Sequence, residues 1–429
     1  MRQSILAPAT SRSISNRSHV LSRRELLNAT IIAPFSSLIP EQPAGASQEP
    51  PNPTLAPRTC RFALDFDYLT SSQNGRNKAL RVQLPIEVLT STTSERADTE
   101  APVVIFSPGF LQPAASYGTF LATLHDAGVT VVTYDKSFET LSSVVDDVDS
   151  VVLLNRVAAE VLVRLGPLAA GPLFLAGHSR GGKLSVLAAA AASHAASTAT
   201  AESPVWPPAE PAAVADVTAL RTTGHTRVDP EQQHQQHQQQ RSMSVSGMIL
   251  LDPADGSFEP QDPNHYPSAL AALQNHPSLA DVPMLIIGAG RGGDCVPRAK
   301  NFRAFFKACR GQCTMVTLQD AGHLQFLDRD SGSLQQSICA AGRGLSNSRV
   351  AAVGGKLAAA FLHQVADTSP AVMPKGGQPA ESNSSNNALR GGGVSCSSST
   401  IERLYEEQLR EEGLRYEVQV SGCSKGLKG

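Results

Sequence analysis

Leu173-Phe174-Leu175-Ala176-Gly177-His178-Ser179-Arg180-Gly181-Gly182-Lys183 joins a short apolar run to a segment, Lys183 to Ala192, rich in Leu, Val and Ala. The run predicts a buried strand and the segment a helix, which puts the G-x-S-x-G pentapeptide on the turn between them. Glycines on either side of the serine allow a sharp backbone turn and close helix packing, so the hydroxyl of Ser179 stands at its tip. In isolation such a pentapeptide is also a plain glycine turn. The strand-turn-helix context is what points to a nucleophilic serine.

Signals on both sides of this turn alternate between strand and helix. Phe62 to Leu69 and Leu80 to Val88 read as two leading strands, the second apolar at every other position, and Ala101 to Phe106 as a nearly continuous apolar third. A helix with Tyr117, Phe120, Leu121 and Leu124 on one face follows, then a strand from Val129 to Thr133 and a long helix through Val144, Val148, Val151 and Val152. After the Ser179 turn come apolar runs at Gly247 to Leu251, Pro283 to Ile287 and Met315 to Leu318, and a last long helix from Val350 to Val365. Alternation of this kind predicts a mainly parallel central sheet with helices on both faces and ligands at the carboxyl ends of its strands, and the G-x-S-x-G turn between strand and helix makes the expected arrangement an α/β-hydrolase fold.

A serine needs a base to take its proton and a group to orient the base. In this fold the chain order is Ser, acid, His, each at the carboxyl end of a later strand. Gln319-Asp320-Ala321-Gly322-His323 directly follows the last apolar strand, and His323 is therefore the expected base. His225, His234 and His237 fall in a low-complexity insert; His125, His194, His265, His276 and His363 fall on helix or loop positions, and His178 is expected to point away from the serine. The acid has two candidates. Asp252 ends the Gly247 to Leu251 strand, and Asp294 lies in the glycine-rich loop after Pro283 to Ile287; strand order alone favours Asp294.

Several blocks together resemble chlorophyllase: Gly177-His178-Ser179-Arg180-Gly181-Gly182-Lys183, Asp252-Pro253 with Gly256, Phe305-Phe306 with Cys309, Gly322-His323 with Leu327-Asp328, and Val353-Gly354-Gly355 with Ala360-Phe361-Leu362. The resemblance covers about Arg61 to Val365. It implies a catalytic triad of Ser179, Asp252 and His323, moving the expected acid from Asp294 to Asp252. It also implies hydrolysis of the phytyl ester of chlorophyll, presented from the thylakoid membrane, with no metal or organic cofactor. The chain departs from the family at Phe106-Ser107-Pro108-Gly109-Phe110, where plant members carry His-Gly-Phe. An oxyanion hole uses backbone N–H groups, so Arg180 with Phe110 or Leu111 remain its candidates despite the proline. Other readings of the same residues are a carboxylesterase or lipid esterase acting on smaller esters, and a pigment-binding relative without turnover.

The 429 residues carry a formal charge of −2, which gives no reason to expect a nucleic-acid partner. No run of about 18 apolar residues is present to predict a spanning helix. Residues 61–367 are expected to form one catalytic domain, interrupted at about 193–243 by an Ala/Ser/Thr run, a proline-rich stretch and a Gln/His tract that together lack the apolar surface to fold. The Gln/His tract has no spacing suited to a closed metal site. Residues 368–429 read as a mostly disordered tail with a short helix at 401–417. Seven cysteines are scattered without C-x-x-C pairs; free thiols are the default, and Cys309 with Cys313 are placed to pair under oxidising conditions.

Residues 1–60 read as a leader. Met1 to Arg24 holds no Asp or Glu, while Arg2, Arg12, Arg17, Arg23 and Arg24 are interspersed with serines, which is organelle transit-peptide composition. Arg23-Arg24, the apolar stretch from Ala29 to Ile39 and Ala44-Gly45-Ala46 add the features of a twin-arginine signal. The expected destination is the chloroplast, with the thylakoid lumen as a further possible stage.

Overall fold

The computed structural model describes residues 58–71, 77–90, 101–140, 144–200, 244–256, 262–291, 296–328, 339, 342–368 and 398–421. The leader through residue 57, most of the insert (201–243) and the Ser/Asn/Gly-rich stretch 369–397 lie outside them.

Among the described residues nine strands form one sheet in the order β1-β2-β4-β3-β5-β6-β7-β8-β9. They are β1 (Arg58–Ser71), β2 (Asn77–Thr90), β3 (Val103–Ser107), β4 (Thr130–Tyr134), β5 (Leu173–His178), β6 (Val245–Leu251), β7 (Met284–Ala289), β8 (Cys313–Leu318) and β9 (Tyr416–Ser421). From β4 to β8 every pairing is parallel; β1 and β2 are antiparallel to each other, β2 to β4, and β9 to β8. This is an α/β-hydrolase fold. Among the described residues seven α-helices flank the sheet: α1 (Gly118–Asp126), α2 (Asp147–Leu165), α3 (Arg180–Thr200), α4 (Ala269–Asn275), α5 (Phe302–Ala308), α6 (Asn347–Thr368) and α7 (Ser398–Glu411).

The central strands are buried along their whole length because helices cover both faces, and their period-2 alternation divides the core. Ile105, Leu175, Leu250, Ile286 and Met315 belong to the cluster under α2, α3, α4 and α5. Val104, Phe174, Ile249, Leu285 and Val316 belong to the cluster under α1, α6 and α7. Each fully buried branched side chain contributes about 1.5–3 kcal/mol relative to exposure.

Helix α2 starts where Asp146 caps it by accepting the N–H of Asp149 at 2.8 Å, with Asp147 and Asp149 in the first turn favoured by the helix dipole. Helix α3 is longer than the sequence suggested and continues through 193–200, the stretch expected to begin the insert. Cys309, at the end of α5, is joined by a disulfide to Cys313, which opens β8, so these two are not the free thiols that were the default expectation.

The C-terminal segment differs from the expected tail. The helix ends at Glu411 rather than at 417, and the residues after it add β9 as an edge strand on β8. The physical reason lies in two apolar patterns: Tyr405, Leu409 and Leu414 are buried against the α6 side of the core, and Tyr416, Val418 and Val420 pack from alternate positions of β9.

Tyr405 is fully buried, and its hydroxyl has no hydrogen-bond partner among the described residues. An unsatisfied buried hydroxyl costs about 1–3 kcal/mol, whereas removing a buried ring costs about 3–5. Tyr405→Phe should therefore match or exceed the parent in stability and Tyr405→Ala should lose several kcal/mol, as read from urea melts; a clear loss in the Phe variant would mean the hydroxyl is satisfied.

Candidate active site

Four strand ends converge on one edge of the sheet: the Pro108–Leu111 loop after β3, Ser179 after β5, Asp252 after β6 and His323 after β8. The turn at Ser179 is tight. A Cβ at Gly177 would collide with the Gly181 backbone, and one at Gly181 with the carbonyl of Ser107. Ser179 itself has φ +54°, a left-handed conformation that costs a non-glycine residue about 1–3 kcal/mol. Hydrogen bonds hold it there: its N–H donates to Leu251 O at 2.9 Å, and its carbonyl accepts from the N–H groups of Gly182, Lys183 and Ala254 at 3.1–3.3 Å.

From this position Ser179 Oγ lies 3.0 Å from His323 Nε2, and His323 Nδ1 lies 2.5 Å from Asp252 Oδ2. The Asp252 backbone is also left-handed, at φ +39°. Its other carboxylate oxygen accepts the N–H of Ala289 at 3.0 Å, so both oxygens are engaged and the carboxylate plane is set. Asp252 and His323 are buried and Ser179 is partly exposed, which opens the hydroxyl end of the line to solvent. The alternative acid, Asp294, lies outside the described residues.

The oxyanion candidates stand at the same edge. Arg180 is the first residue of the 21-residue helix α3, so its N–H has no acceptor within the helix and points to a favourable place for negative charge. Leu111 is held at φ +53°, and the N–H groups of Phe110 and Leu111 have no partner among the described residues. The Gly109 N–H is taken, donating to the Tyr117 hydroxyl at 2.9 Å.

Beneath the serine turn lies a buried set of charges that sequence reading did not assemble. Arg180 Nε donates to Asp147 Oδ1 at 2.7 Å, and its other nitrogens reach Glu139 Oε1 at 3.4 Å, Ser150 Oγ at 3.2 Å and the Val145 carbonyl. Lys183 Nζ is 2.8 Å from Asp147 Oδ2 and 3.8 Å from Asp255 Oδ1. Burial disfavours the Asp147 carboxylate, but the attraction of Arg180 and Lys183 outweighs it and holds its pKa below the ordinary value. For Asp255 burial wins, and its pKa is raised despite Lys183 and the bonds from Ser268 and Ala269. The one sequence signal for this network was charge placement, since Asp147 opens α2 and Arg180 and Lys183 open α3.

Other polar residues set aside in the sequence have structural roles. His125 Nε2 meets the carbonyl of Thr90 at 3.2 Å, His363 Nε2 that of Ala127 at 2.9 Å, and His265 Nδ1 is 2.6 Å from Asp146. His178, buried beside Ser179, does turn away from the hydroxyl. It bonds instead to Tyr117 and to the carbonyl of His323.

A chlorophyllase family model matches residues 208–373, a span holding Asp252 and His323 and beginning after Ser179. Chlorophyllase-2 from Arabidopsis thaliana is 25% identical over 298 residues, covering 65% of this chain and 77% of the relative. The chain is a carboxylic ester hydrolase with similarity to chlorophyllases. Among solved structures, a ferulic acid esterase from Streptomyces cinnamoneus superimposes with TM-score 0.40 at 17% identity, covering 78% of this chain and 97% of that one. A carboxylesterase from Lactobacillus plantarum does so with TM-score 0.42 at 14% identity, covering 71% and 97%. Among the described residues of this esterase, no helix is long and apolar enough to cross a membrane.

The charge network makes a checkable statement about pH. Lys136 is buried with Nζ 3.5 Å from Glu139 Oε2; burial, reinforced by Arg180, pulls its pKa down to about 8. In the unfolded chain a lysine titrates near 10.4. Between these values the folded state binds fewer protons than the unfolded one, so the destabilisation from this group is full below about pH 8 and eases as pH rises toward 10. The stability margin between Lys136→Met and the parent should move in the parent's favour from pH 7 to pH 9.5, because the parent's penalty eases over that range and the variant has no amine to titrate. A margin constant across denaturant melts from pH 7 to 9.5 would refute this account.

Proposed function

We propose that this esterase cleaves the phytyl ester of chlorophyll through a Ser179–His323–Asp252 acyl-enzyme mechanism. The observation that carries the mechanism is the continuous line from Ser179 Oγ through the His323 ring to the Asp252 carboxylate, with hydrogen-bond distances at both junctions. The choice of ester rests on the likeness to chlorophyllase.

His323 Nε2 accepts the Ser179 proton as Oγ attacks the ester carbonyl. Asp252 stays ionised, fixes the ring with Nδ1 protonated and stabilises the imidazolium that forms. The N–H of Arg180, with that of Phe110 or Leu111, receives the oxyanion, each donor being worth about 10²–10³ in rate. Collapse of the tetrahedral intermediate breaks the bond to the alcohol oxygen, and His323 returns its proton to that leaving oxygen, releasing phytol. Water then loses a proton to His323 and attacks the acyl-enzyme, giving chlorophyllide and free Ser179. Residues 1–60 are proposed to direct the chain to the plastid on their Arg- and Ser-rich, acid-poor composition.

The test of the mechanism is chlorophyllide release from chlorophyll a by the full chain, beside a short-chain p-nitrophenyl ester. Ser179→Ala should abolish both activities, and Asp252→Asn should lose about 10⁴-fold while Asp294→Asn stays near the parent. Cleavage of the short ester alone would move the substrate to smaller esters, and residual rates within tenfold in Ser179→Ala would remove the serine. For the leader, a fluorescent protein fused behind residues 1–60 should accumulate in plastids; cytosolic fluorescence would end that assignment.

A further inference from the structure

His178 and Tyr117 lie outside the Ser-His-Asp line, yet they connect its parts. The bond directions follow from chemistry. A carbonyl oxygen only accepts, so His178 Nε2, 3.0 Å from the His323 carbonyl, carries the proton. Nδ1 of the same neutral ring is then an acceptor, and the Tyr117 hydroxyl 2.9 Å away donates to it. The Tyr117 oxygen in turn accepts the N–H of Gly109 at 2.9 Å. Every polar atom in this row is thereby satisfied, from the loop after β3 to the backbone of the proposed base.

The surroundings keep the row in this state. His178 is 1% exposed and Tyr117 is fully buried. Burial, reinforced by the neighbouring His323 ring, holds the His178 pKa well below the ordinary imidazole value. The two imidazole centroids are 4.8 Å apart, which makes a second positive charge costly whenever His323 is protonated. Space is also fixed: a Cβ at Gly109 would come within 3.0 Å of both His178 Nδ1 and the Tyr117 oxygen. A second clamp joins the turn bearing Tyr117 and the start of α1 to the stretch after His323, since Asp328 N–H donates to the Ser116 carbonyl at 2.7 Å and its carboxylate accepts the Thr119 N–H at 2.9 Å.

Resting on the Ser179–His323 reading above, we propose that Tyr117 and His178 are positioning residues that hold the Gly109–Leu111 loop and the His323 backbone in register, so that oxyanion donors and base are aligned together. Neither touches the reacting atoms. Their effect should appear where charge develops in the transition state, hence in kcat rather than KM.

The experiment uses the full chain with a short-chain p-nitrophenyl ester. Active sites are counted by fluorophosphonate labelling, and thermal midpoints are recorded beside kcat and KM. Tyr117→Phe keeps the ring and removes only the hydroxyl; per labelled serine its kcat should fall about ten- to a hundredfold with KM within about threefold. His178→Gln retains a donor toward the His323 carbonyl and should exceed His178→Leu by about tenfold in kcat. A Tyr117→Phe kcat within threefold of the parent, or a Gln variant no better than Leu, overturns the proposal. A fall confined to midpoint and labelled fraction also overturns it, because that is a purely structural role. Ser179→Ala runs alongside: if it is inert, a failure belongs to the positioning residues alone, and if it retains activity the triad reading falls and takes this one with it.

Discussion

The left-handed backbone at Ser179 is the constraint on which the rest of this structure depends. A β-substituted residue does not rest at φ +54° unless its surroundings over-determine it, and here the surroundings are specific. Gly177 and Gly181 leave no room for side chains, the Leu251 carbonyl takes the serine N–H, and three downstream N–H groups take its carbonyl. Because Leu251 ends β6 and Asp252 follows it, the bond that holds the serine turn also fixes the start of the loop that carries Asp252. Parallel strand pairing therefore does more than carry the residues; its register sets their separations.

Beneath the turn, electrostatics does what packing alone would not. Arg180 and Lys183 are drawn into the protein toward Asp147, Glu139 and Asp255, which pins the first turn of α3 to the start of α2 and to the loop after β6. Hydrophobic side chains of similar volume would often hold such an interior as well or better. What they would not supply is direction: a guanidinium with several fixed acceptors has one orientation, and with it the adjacent N–H groups of α3 keep one aim. Burial raises the stake, since removing one partner leaves an uncompensated charge rather than a small cavity.

How far the fold could be read from sequence depended on how local each signal was. The strands from Val103 to Leu318 are apolar runs closed by turn residues, and a strand buried on both faces needs no distant partner to be recognised. Strand β9 was missed because Tyr416-Glu417-Val418-Gln419-Val420 is a half-covered edge that follows a long polar stretch, and only its pairing with β8 gives the alternation meaning. Ser179 and His323 stand out because each closes a strand signal in a compact motif. Asp252 and Asp294 were not separable by that rule, as each follows an apolar strand; in the structure a carboxylate oxygen of Asp252 sits 2.5 Å from His323. Tyr117 and His178 carried no signal of their own, because their meaning lies in bonds spanning 61 and 145 residues of chain.

That last pair shows why a buried histidine next to Ser179 is not redundant. If His178 were cationic it would oppose the imidazolium that the proposed mechanism forms on His323, 4.8 Å away between ring centroids. If it were neutral with the proton on Nδ1, the His323 carbonyl would lose its donor and the Tyr117 hydroxyl its acceptor, leaving buried polar atoms unpaired at about 1–3 kcal/mol each. Only the neutral Nε2–H tautomer satisfies all four groups, and the Gly109 N–H, by donating to Tyr117, directs the phenolic hydrogen toward His178. Charge repulsion and hydrogen-bond satisfaction thus select the same state, and the loops bearing Gly109 and His323 are coupled by a single tautomer.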